Sequence, residues 1–178
     1  MPIRNFKQTC SVKVLQVCLL TVILLVDALA HGGTGRQTTT FLVEADERTV
    51  CRWIERNSTA LDESSGAEVL AVHGRQSELR KETKEGTFTL LVDHGRERPA
   101  TSEHGQFRTV LLKSDNPALV SQETEIQVQR EGSGSRVTIT VVANVSTHSA
   151  MSISLGIRPS LRGMRKLLES HFGSPNEP

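Results

Sequence analysis

Histidines and carboxylates are the residues whose types could do chemistry in this 178-residue chain. His94 and His104 flank a charged stretch, with Asp93 and Glu103 beside them, and four such groups could hold a divalent ion. Their spacing follows neither H-x-x-x-H nor H-E-x-x-H, and Pro99 marks the stretch as the solvated loop of a hairpin, so no metal site is assigned. His73 and His148 fall at turns or strand ends. No serine stands in a G-x-S-x-G elbow. "GSGS" at Gly132–Ser135 follows a strand but opens no helix, which excludes a phosphate-binding loop. Cys51 has no nucleophile signature around it and reads as a small buried hydrophobe on a helix. No catalytic residue, metal ligand or cofactor is assigned. Asn57-Ser58-Thr59 and Asn144-Val145-Ser146 fit the glycosylation acceptor pattern, which matters only in a eukaryotic secretory route.

The first thirty residues stand apart from whatever positions those groups. Arg4, Lys7 and Lys13 precede an uncharged run from Val14 to Val26, and Ala28-Leu29-Ala30 follows. A basic start, a short apolar core and an A-x-A site predict a secretory signal peptide over 1–30. The apolar run is shorter than the ~20 residues that span a bilayer, although an uncleaved membrane anchor is the alternative. Cleavage after Ala30 removes three of 21 bases and one of 20 acids, leaving a net charge of −1. That balance excludes the basic surface a nucleic-acid partner needs. Cys10 and Cys18 leave with the signal, so Cys51 has no intrachain disulfide partner. One tryptophan and no tyrosine make a poor platform for stacking sugars or bases.

Residues 31–37 are glycine-rich and read as a flexible leader, residues 38–172 as one domain, and 173–178 as a disordered tail. A β-branched strand begins at Thr38. Asp46 then caps a helix whose Val50, Trp53 and Ile54 share one face, with Trp53 expected as a core anchor between that helix and the sheet. From Ala67 to Ser146 short strands alternate with turns. Ile126 and Val128 alternate with Glu125 and Gln127, and Val137, Ile139 and Val141 with Thr138 and Thr140, which predicts a long antiparallel hairpin with one dry face. Ser149 is placed as the cap of a final helix, in which Ile157, Leu161, Met164 and Leu168 form one apolar stripe. Pro159 is expected to kink that helix or mark its start, and Gly156 and Gly163 to weaken it. Short connections between strands predict an α+β arrangement, a curved antiparallel sheet of about six to seven strands under a long C-terminal helix.

"TTTFLVEADERTVCRWIE" near the start and "SRVTITVVANVS" with "LRGMRKLLESHF" at the end resemble the START-like superfamily, also called the polyketide cyclase/dehydrase and lipid-transport superfamily. The likeness covers nearly the whole of the chain that follows the predicted signal peptide. It implies the helix-grip fold and a hydrophobic small molecule or lipid held between sheet and C-terminal helix. The chain departs from the family in "NSTALDESSGAE", where a second helix with Trp and Pro is usual, and there the helix is expected to shrink to a turn. No family catalytic residue maps onto a position of this chain.

The inward apolar positions predicted to line such a cavity are Phe88, Leu90, Ile126, Val128, Val137, Ile139 and Val141 on the strands and Ile157, Leu161 and Met164 on the helix. None is ionisable, which weighs against catalysis. The function expected is an exported small-molecule-binding domain without stable membrane insertion of its mature chain. A cyclase- or hydrolase-like enzyme on the same fold and an interaction module with a filled core are the alternatives.

Overall fold

The computed structural model describes residues 32–83, 86–97, 104–146 and 150–175; the predicted signal segment, Ser149 and Glu103 lie outside them. Seven antiparallel strands form one sheet in the order β1-β7-β6-β5-β4-β3-β2. They are β1 (Gly33–Val43), β2 (Ala67–His73), β3 (Gln76–Thr83), β4 (Gly86–Glu97), β5 (His104–Ser114), β6 (Leu119–Glu131) and β7 (Gly134–Val145). Helices α1 (Glu47–Arg56) and α2 (Ser58–Ser64) link β1 to β2, and α3 (Ala150–Phe172) follows β7. The α+β arrangement expected from the alternation is therefore present, with its long C-terminal helix.

Strand β1 begins at Gly33, not Thr38, so most of the expected leader is strand. Gly33 through Gln37 pair in register with Val145 through Val141 of β7, and this ladder holds residues of little β-propensity. Two hairpins turn on the same device. Gly132 between β6 and β7 and Gly74 between β2 and β3 have φ of +60° and +65° at the first of two central residues. That is the arrangement of a type II′ turn, whose twist matches the strands it joins.

The cap of α1 is as expected: the Asp46 carboxylate accepts from the Thr49 backbone N–H at 3.0 Å and from the Thr49 hydroxyl at 2.6 Å. The second helix corrects an expectation. Residues 58–64 form α2, two turns that bury Leu61 alone among their side chains. One apolar residue leaves no periodicity to detect. Pro159 sits on an exposed face inside α3, which begins at Ala150, so it does not start the helix.

The main core joins Phe41 and Val43 of β1, Val50, Cys51 and Ile54 of α1, the inward residues of β5–β7, and the α3 stripe Ile157, Leu161, Met164 and Leu168. Helix α3 lies chiefly along β1, at one side of the sheet, and less on β7. A smaller core of Ala67, Leu79, Leu90 and Val92 lies at the other side. Trp53 is half-buried, and its ring stacks on His171 and Phe172 at 4.8 and 5.7 Å between centroids. It packs against the main core, as expected of an anchor, and also joins α1 to the end of α3.

Candidate functional site

Because α3 covers one side of the curved sheet, the other side is roofed by α1 and α2, and there the packing is incomplete. A cavity of about 510 Å³ remains. Ligand pockets typically measure ~300–1,000 Å³, which weighs against the filled-core alternative. Its apolar wall includes Leu79, Leu90, Val92, Phe107 and Ile126 from the sheet and Ile54 and Leu61 from the roof; Met164 represents α3. Exposed Glu55, Gly74 and Arg75 stand at its edge.

Of the residues expected to line a cavity, Leu90, Ile126 and Met164 do so. Val128, Val137, Ile139, Val141, Ile157 and Leu161 are buried in the main core and are not among the residues around this cavity. Phe88 is half-buried against the smaller core. The space thus lies beside the grip of sheet on helix, displaced from where the strand pattern placed it.

The polar lining was missed. Strand parity puts Lys81 on the face of Leu79, and His94 on the face of Leu90 and Val92. Thr109 and Thr124 are cross-strand neighbours on the same face. That parity is present in the sequence, but polar members of an inward face add nothing to a hydrophobic pattern. His94 lies in β4, opposite Thr109, while Asp93 beside it pairs with exposed Arg75 at 2.9 Å. Consecutive strand residues face opposite sides, so His94 and Asp93 cannot share an ion. Among the described residues no group of three His, Cys, Asp or Glu could hold a metal.

His94 is enclosed by three partners. Its Nε2 lies 3.1 Å from Asp62 Oδ2 and 3.0 Å from Ser77 Oγ, and its Nδ1 lies 3.0 Å from Thr109 Oγ1. Asp62 and His94 side chains are 13% and 14% exposed. A carboxylate offers only lone pairs, so it favours the proton on Nε2, leaving Nδ1 to accept from the Thr109 hydroxyl. Asp62 Oδ2 is otherwise buried without a well-aligned hydrogen bond, so its contact with His94 is chiefly electrostatic.

Lys81 enters from β3. Its Nζ donates to Ser160 Oγ of α3 at 3.0 Å, and that hydroxyl donates to the Ser65 carbonyl at 2.9 Å. One chain of hydrogen bonds therefore ties β3, α3 and the end of α2 around the cavity. Burial pushes the Lys81 pKa below its ordinary 10.5, with the Asp62 carboxylate opposing the shift. The site can seat an apolar body and meet a polar head with an amine, a carboxylate, an imidazole and hydroxyls.

No family model matches the chain. No curated protein matches it either. Solved structures do. A START superfamily protein from Mycobacterium smegmatis is 17% identical with a TM-score of 0.57, over 77% of this chain and 96% of that one. A protein from Thermus thermophilus is 14% identical with a TM-score of 0.53, over 78% and 98%. The major latex-like protein 151 of Panax ginseng is 9% identical with a TM-score of 0.52, over 76% and 97%. Strand order, the paired short helices and the final helix on the sheet agree with these matches: the chain has the START-like helix-grip fold.

Proposed function

We propose that this chain is an exported binding protein that holds a hydrophobic or amphipathic small molecule in the cavity between the sheet and α1–α2. The cavity of about 510 Å³ carries this reading, because a domain with one unfilled side forfeits dispersion contacts that a closed core would make. Nile red is the probe of choice: its emission should shift to the blue with wild-type protein, and decanol should displace it. Thr124 is half-buried on the cavity wall. Thr124→Trp should crowd the cavity and weaken dye uptake several-fold while leaving Tm nearly unchanged. Equal uptake by both proteins would place the dye elsewhere and sink the proposal.

Export follows the basic, apolar and small-residue order of residues 1–30. Protein recovered outside the cytoplasm of its native host should begin at His31. A mature chain that starts at Met1 would favour the membrane anchor. Among the described residues no helix is long and apolar enough to cross a membrane. The cyclase- or hydrolase-like alternative draws support from one observation, the convergence of Asp62, His94 and Thr109 on the same cavity.

A further inference from the structure

Lys81 is the cavity group whose surroundings leave its bonding incomplete. An ammonium has three N–H donors. Among the described residues the Ser160 hydroxyl is its single hydrogen-bond acceptor, and that hydroxyl directs its own proton to Ser65. The residue is half-buried as a whole, yet its amine is largely withdrawn from water, and it lines the cavity with Leu79, Leu90, Val92 and Ile126. A charged ammonium is costly in such a place. Loss of a proton would leave one N–H for Ser160 and a lone pair for the cavity. Burial shifts the equilibrium in that direction, against the opposing pull of Asp62. A desolvated lysine in an apolar pocket is the usual form of an amine nucleophile.

We propose that Lys81 traps carbonyl compounds, its amine forming an imine with an aldehyde or ketone group borne by an apolar ligand in the cavity. The proposal rests on the ligand-binding reading of that cavity. The Nζ lone pair adds to the carbonyl carbon, the C=O π pair moves to oxygen, and a proton passes from nitrogen to that oxygen. The resulting carbinolamine loses its hydroxyl as water once that oxygen takes a second proton. The nitrogen lone pair then forms C=N, and loss of the remaining N–H proton gives the neutral imine. Amine and carbonyl thus become imine and water with no change of oxidation state. The Asp62–His94 pair lines the same cavity and supplies a proton donor and acceptor for these transfers.

Full-length mature protein is incubated with decanal and cyanoborohydride, then digested for mass spectrometry. One reduced decyl adduct should appear first on Lys81, ahead of exposed Lys113 and Lys166. Excess decanol, which lacks a carbonyl, should slow labelling of Lys81 and leave the surface lysines unaffected. Lys81→Arg keeps a cation and hydrogen-bond donors but has no comparable amine nucleophile, and it should lose the adduct while keeping the circular dichroism spectrum and Tm of a folded domain. Labelling confined to surface lysines, with Nile red still bound and displaced by decanol, would overturn the proposal and spare the binding function. Failure of Nile red to bind the wild type would remove both.

Discussion

Lys81 sits at a place where the fold works against its charge. Its pKa lies below 10.5, so from that lowered value up to 10.5 the unfolded chain binds more protons than the folded one. Stability contributed at this position therefore rises with pH across that window and is lowest where the amine is protonated in both states. Lys81→Met removes the titration. The difference in unfolding free energy between wild type and Lys81→Met, from urea melts at several pH values, should move in favour of wild type as pH approaches 10.5. A difference that stays flat with pH would mean the amine is as well hydrated folded as unfolded. At this scale the chain was only partly legible. Alternation identified which residues face inward, but Lys81, Ser77 and His94 are polar, and an inward-facing polar side chain resembles a strand-end accident until its partners on α2, α3 and β5 are in place.

At the scale of elements, Gly163 reverses its expected role. Within a helix interior glycine costs about 1 kcal/mol against alanine, so Gly163→Ala would ordinarily strengthen α3. Here a Cβ at 163 would stand 1.7 Å from the Ser64 carbonyl oxygen, at the end of α2. That contact is with backbone and has no side chain to swing aside. Gly163→Ala should therefore destabilise by about 1–3 kcal/mol, the usual effect of overpacking, read as a lower urea midpoint with an unchanged m-value. An increase in stability would show that α2 moves freely away from α3. The long helix itself was visible because its four buried stripe residues recur with helical spacing; α2 was not, because Leu61 alone anchors it. Helix α3 also covers apolar surface along β1 and, together with α1, part of that on β7. A chain ending at Ser149 should accumulate as insoluble or unfolded protein, since a bare apolar face of that extent promotes aggregation. A soluble, cooperatively melting truncation would show the sheet to be self-sufficient.

For the whole molecule, fold class was legible and the location of free space was not. Period-two alternation and short turns specify an antiparallel meander, because each constrains neighbours in the chain. A void depends on how far α3 leans toward β1, which is decided by packing between residues more than a hundred positions apart. The same pairing has a kinetic consequence. Strand β1, near the start of the domain, has β7 as its sole neighbour in the sheet, with Gly33 opposite Val145. During synthesis it must wait for almost the entire domain to be made before it has a ladder to join, while β2 through β6 zip sequentially through local hairpins. Contacts of such separation are slow to form. The nascent chain is therefore expected to remain open until its last third emerges, a property that would suit the export proposed above.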